Sequence, residues 1–77
     1  MPKTVDTLRP GESGYITGLG ERNSQRSRLL DMGLVPGALI TVRAASPFGD
    51  PVLVSVRGCE LALRREQARS ITVRAAR

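Results

Sequence analysis

Apolar residues recur along this chain with two different periods, and the switches between them mark out its elements. From Gly14 to Leu19 the period is two: Gly14, Ile16 and Gly18 lie on one side, and Tyr15, Thr17 and Leu19 on the other. That alternation predicts a strand with one small, apolar face. Glycine inside a strand signals a bulge or a bend, so Gly18 and Gly20 fit a barrel corner. The spacing then turns helical. Leu29 and Met32 stand at i,i+3 and Leu30 and Leu34 at i,i+4, which places them on neighbouring faces of one short helix. Asn23 or Ser24 can cap its first turn with a short polar side chain. Gly33 stops it, since glycine takes the left-handed conformation beyond a helix end without a Cβ clash, and Leu34 can fold back onto Leu29 as in a Schellman cap. Pro36 has no amide hydrogen and biases Val35 towards extended geometry, so the chain leaves through Gly37 as a strand.

Period two returns after Gly37. Ile40, Val42 and Ala44 oppose Leu39, Thr41 and Arg43, and Val52, Val54 and Val56 oppose Leu53, Ser55 and Arg57. The segment between them carries Pro47, Gly49, Asp50 and Pro51 and reads as a hairpin loop with Phe48 at its tip. Gly58 marks the next reversal. Cys59, Leu61 and Leu63 then face inward against Glu60, Ala62 and Arg64, and residues 65–68 suffice for one helical turn before Ile71 and Val73 close the barrel as a last strand. Residues 1–7 are polar and unpatterned and are expected to be flexible, so the ordered domain spans 8–77. A helix this short is marginal alone, which requires Leu29, Leu30 and Met32 to pack on the sheet. The expected fold is mainly β: a small SH3-like barrel of about five short strands, with one short helix between the first and second strands.

Seventy-seven residues make one domain with a thin core and no room for a deep active site. Twelve Lys and Arg against seven Asp and Glu give a net charge of +5, and all the cations but Lys3 are arginines. Such a surface attracts anionic partners: nucleic acid, the anionic face of a membrane or an acidic protein patch. A charge excess of this size more often only keeps a small domain soluble. One cysteine excludes an internal disulfide, and the first residues contain no apolar run suited to a signal peptide, so a cytoplasmic location is expected. No stretch approaches the roughly 20 apolar residues that cross a bilayer as a helix.

The inventory of reactive side chains is short. Without histidine, and with a single thiol, the chain has none of the clustered ligands that ferrous iron favours, and Asp31, Asp50, Glu60 and Glu66 are scattered. No metal site, cofactor or catalytic residue is assigned. Cys59 lacks an activating base, and its alternation with Leu61 and Leu63 predicts a buried, inert thiol. Gly18-Leu19-Gly20 has no phosphate-binding continuation and is read as a bend. Proline-rich peptide grooves and nucleic-acid stacking platforms both need aromatics, and this chain offers only Tyr15 and Phe48. Arg22, Arg26 and Arg28 could join Arg64, Arg65 and Arg69 in a phosphate-binding patch if the two segments adjoin, and they read equally as a dispersed, solvated set.

The segment Arg28-Leu29-Leu30-Asp31-Met32-Gly33-Leu34-Val35-Pro36-Gly37 carries a further signal together with residues 8–14, 46–52 and 57–64. In order and spacing these pieces resemble the FeoA family of small ferrous iron transport accessory proteins, over nearly the whole chain. Two departures stand out: Cys59 occupies a position where the family more often has tyrosine, and residues 21–25 replace a commonly glycine-rich approach to the helix. The resemblance implies an SH3-like barrel and a non-enzymatic, regulatory role in ferrous iron uptake. It also implies a link to transition-metal ions and a partner, the membrane transporter FeoB, met at its cytoplasmic portion by the inner face of the cell membrane. A second copy of the chain stays open as another partner, and nucleic acid is disfavoured. The alternative is a basic nucleic-acid-binding domain, or one akin to the barrel appended to metal-dependent repressors, although no helix-turn-helix is present to read a groove.

A partner-binding surface is expected to combine the arginines of the helix, Arg22, Arg26 and Arg28, with Leu39 and Leu53 on the outer strand faces and with Phe48 at the hairpin tip. Single exposed leucines are common, and Leu39 and Leu53 fit packing beneath the helix or a loop equally well. Gly33, Pro36, Gly37 and Gly58 are assigned structural roles at the reversals.

Overall fold

Two apolar alternations joined by a loop form neighbouring strands of one antiparallel sheet. The structure is a computed structural model that describes residues 3–21 and 24–76. Its elements are β1 (Lys3–Thr4), a 3-10 turn (Val5–Thr7), β2 (Ser13–Gly18), α1 (Ser24–Asp31), β3 (Leu39–Ala45), β4 (Val52–Val56), β5 (Cys59–Leu63), α2 (Arg65–Ser70) and β6 (Thr72–Ala75). The strands lie in the order β1-β6-β2-β3-β4-β5. β1 and β5 are the two edges. α2 leaves the end of β5 and packs on the 3-10 turn and β1, so it spans the gap between those edges.

The inner face collects Ile16, Ile40, Val42, Val52, Val54, Val56, Leu63 and Val73, and α1 covers this core with Leu29. The end of α1 is a complete Schellman motif. Leu34 N–H donates to the Leu29 carbonyl at 3.0 Å and Gly33 N–H to the Leu30 carbonyl at 3.0 Å. Gly33 stands at φ +92°, and both Leu29 and Leu34 are fully buried. Residues 35–38 then form a tight turn in which Ala38 N–H donates to the Val35 carbonyl at 3.0 Å. Pro36 and Gly37, the latter at φ +92°, are its central residues, as a type II turn requires. Gly37 N–H donates to the Ile16 carbonyl at 2.7 Å, which hangs this turn on β2. Of the two capping candidates, Ser24 begins α1, while Asn23 falls outside the described residues.

Four details depart from the expected pattern. Of residues 1–7, expected to be flexible, Lys3 and Thr4 pair with Val73 and Thr72, and Val5 is fully buried with its N–H donating to the Ile71 carbonyl at 3.0 Å. A sixth strand therefore joins the five expected. A lone apolar residue among polar ones carries no periodicity, and its partners lie at the far end of the chain. Leu19 is buried although Tyr15 and Thr17, on the same phase, are exposed, because the β2–β6 register shifts between Ile16 and Gly18. Ala44 is exposed and pairs with Leu53, since a bulge between Val42 and Ala44 flips the phase of β3.

The fourth departure is Cys59. It pairs with Val56, whose side chain is buried, so it stands on the inner side of β5, but it is exposed. The pair closes the two-residue turn Arg57-Gly58 at the tip of the hairpin, where the face extends beyond the core. The expectation of a buried thiol is corrected accordingly.

A basic cleft beside a free sheet edge

The first turn of α2 is fixed by one of its own side chains and by one from the β3–β4 loop. Gln67 Oε1 accepts the Arg64 N–H at 2.8 Å, and Asp50 Oδ1 accepts the Arg65 N–H at 3.2 Å. Asp50 is itself held by Ser46, whose hydroxyl accepts the Asp50 N–H at 2.9 Å and donates to the Asp50 carbonyl at 2.7 Å. The β3–β4 loop is thus tied to the start of α2. On the other side, Gln25 Nε2 donates to Ser70 Oγ at 3.3 Å, which brings α1 against the end of α2.

These links leave an open cleft of about 470 Å³ between α1, the end of β5 and the start of α2. Ser24, Gln25 and Arg28 form the α1 wall, Ala62 and Arg64 the strand wall, and Glu66 and Gln67 the end. A second hollow, lined by Asp50, Pro51, Ala62 and Arg64, continues it towards the β3–β4 loop. The two arginine-bearing segments do adjoin, with Arg28 and Arg64 lining one cleft; neither is in an ion pair with a described residue. Arg65 and Arg69 are exposed on α2, Arg26 is half-buried on α1, and Arg22 lies outside the described residues.

The apolar candidates divide. Leu53 is 45% exposed and sits in the outer-face row Ala44–Leu53–Ala62, beside the cleft. Leu39, 42% exposed, pairs instead with Tyr15, whose ring lies under the Arg74 guanidinium at 5.3 Å. Phe48 is 85% exposed in the loop beyond the opposite end of β3 from Leu39, separated from it by about 20 Å of strand. Neither leucine packs beneath the helix. Ala62, Gln67 and the Tyr15–Arg74 pair were not singled out by periodicity, because cross-strand neighbours depend on register. A weak signal for Ala62 lay in its alternation with Leu61 and Leu63.

Every charged side chain among the described residues is at least partly exposed. No group of three His, Cys, Asp or Glu residues is placed to hold a metal ion among the described residues. The one ion pair found among them, Arg43 with Glu60 at 3.8 Å, is exposed and lies on the outer face of the sheet.

Fold and surface together define a small SH3-like barrel domain that offers open, polar clefts and a basic flank. The FeoA domain family matches residues 3–75, and the chain belongs to that family. A curated relative, the Fe(2+) transport protein A/Fe(2+) transporter FeoB fusion protein of Porphyromonas gingivalis, is 38% identical over 69 residues, covering 90% of this chain and 8% of the fusion. The chain thus spans a small part of that relative's length. A FeoA crystal structure described as an iron uptake regulatory protein is 30% identical and superposes with a TM-score of 0.89 over 99% of this chain and 100% of the other. The Stenotrophomonas maltophilia FeoA, a prokaryotic SH3 domain protein solved as its zinc complex, is 27% identical with a TM-score of 0.82, covering 92% and 88% of the two chains. The family is associated with ferrous iron transport, as the segment from Arg28 to Gly37 and its companions implied.

Proposed function

We propose that this chain is a non-enzymatic regulatory protein of ferrous iron uptake that acts by binding the cytoplasmic portion of a FeoB transporter. The observation that carries the reading is the Porphyromonas gingivalis fusion, in which a FeoA region 38% identical to this chain is part of one polypeptide with the transporter. Domains that work on one another gain effective concentration when linked, so fusion favours pairs whose separate affinity is modest. Among the described residues, no helix is long and apolar enough to cross a membrane. The proposed place of action is the cytoplasmic face, reached through the transporter.

Regulation by contact needs no chemistry in this chain. A domain that binds one conformation of the transporter more tightly than another shifts the population by that difference, and coupling of about 1–3 kcal/mol corresponds to roughly 5–150-fold. The test is co-elution of this chain with the purified cytoplasmic domain of its transporter, with and without nucleotide, and with duplex DNA as a control ligand. The reading expects a complex with the transporter domain and none with DNA at physiological salt. Co-elution with DNA alone would replace it by the nucleic-acid alternative.

A further inference from the structure

β5 pairs with β4 alone, so its other side is an edge of the sheet. Val56 and Cys59 close the two-residue turn, and hydrogen-bonded and non-bonded pairs alternate from there along an antiparallel ladder. Cys59, Leu61 and Leu63 therefore turn their backbone groups to β4, while Glu60 and Ala62 turn theirs outward. Natural edge strands are blunted by short length, charge, proline, a bulge or a cover. β5 is five residues long and carries one charge, Glu60, but it contains no proline or glycine, and its register with β4 runs without a break from Cys59 to Leu63. Its outward side at Ala62 opens into the cleft whose far wall is α1. A strand edge facing a helix across an open cleft is the geometry that accepts an extended peptide as an added strand.

Charge selects the kind of peptide. Arg28 stands on the helix wall and Arg64 on the strand wall, with Glu66 the one acid among the described lining residues, and Glu60 on the β5 edge is paired with Arg43. Leu53 lies exposed beside Ala62 on the outer face, one strand in from the edge. We infer that the cleft takes an extended, acidic segment of the transporter, which pairs with β5 through the Glu60 and Ala62 backbone and sets carboxylates against Arg28 and Arg64. This rests on the docking reading above and specifies its site. A second copy of the chain is the weaker occupant, because edge-to-edge pairing would bring together two molecules that each carry +5.

The test follows amide exchange by NMR in the whole chain, titrated separately with the transporter's cytoplasmic domain and with a capped peptide of alternating valine and glutamate. Binding should slow exchange at Glu60 and Ala62 at least about tenfold. Ala62→Pro removes an outward N–H that the β4 ladder does not use, a substitution edge strands tolerate, and should weaken binding about tenfold, whereas Ala62→Val keeps the N–H and should bind as the parent does. Arg28→Glu with Arg64→Glu should abolish binding of the glutamate peptide and permit binding of its lysine counterpart. If the transporter domain binds the parent and Ala62→Pro equally, without protection at Glu60 and Ala62, the docking reading stands and the edge assignment is overturned. If the transporter domain does not bind at all, the docking reading fails. The peptide then decides the edge alone, and no protection at millimolar peptide overturns it. Concentration-dependent self-association that Ala62→Pro abolishes would give the edge to a second copy instead.

Discussion

Gly33 and Gly14 are required by this fold for different reasons, and alanine separates the two. At Gly33 the backbone has φ +92° and an added Cβ would meet nothing within 4 Å, so Gly33→Ala carries a backbone cost alone, about 1–2 kcal/mol. Gly14 has no such φ, but a Cβ there would stand 2.9 Å from Val73 Cβ and 3.0 Å from the Arg74 carbonyl oxygen. Gly14→Ala must push β2 away from β6, an overpacking cost of about 1–3 kcal/mol. Urea denaturation should show both losses. Chemical-shift changes along β6 should accompany only the second. Arg57 offers the reverse case: it holds φ +52° in the hairpin turn before Gly58, where asparagine is favoured. Arg57→Asn should therefore stabilise the domain by about 0.5–1 kcal/mol, which at this size raises the melting temperature by roughly 3–6 °C.

At the scale of elements, what the sequence made readable was what is local. α1 and its cap were legible because Leu29, Gly33 and Leu34 lie within one helical turn and the next bend, and Pro36 bars continuation. β3 and β4 were legible because Ile40, Val42, Val52, Val54 and Val56 keep strict phase. Non-local features escaped. The phase flip at Ala44 comes from a bulge against Leu53, the exposure of Cys59 from its place beside the turn, and the order of residues 3–7 from partners in β6 and Ile71. The surface was less legible than the core: Arg28 and Arg64 share a cleft because packing of Leu29 on the core sets α1 beside the end of β5, where Gln25 also meets Ser70. Val5 gives the sharpest test of the ordered N-terminal element. Val5→Ser should cost about 2 kcal/mol by losing buried apolar area and burying a hydroxyl, whereas a frayed segment would leave the denaturation midpoint unchanged. Asp50→Ala should cost about 0.5–1.5 kcal/mol by removing the acceptor for the Arg65 N–H at the start of α2.

The whole molecule is a thin barrel that carries a charge of +5, and the proposed docking assigns recognition to its surface. Its core residues hold the sheet, while the β5 edge, α1 and the start of α2 present backbone and guanidinium groups together. Association driven by such a surface has an electrostatic component that salt screens, because the Debye length falls from about 10 Å at 0.1 M to about 3 Å at 1 M. Neutralising Arg28 and Arg64 should thus lower the rate of association more than it raises the rate of dissociation, as stopped-flow fluorescence would show. The most direct measurement is a calorimetric titration of this chain into the transporter's cytoplasmic domain at low and at high salt. Docking predicts saturable one-to-one heat with affinity that falls as salt rises; flat heats at every salt concentration, with both proteins folded, would contradict it.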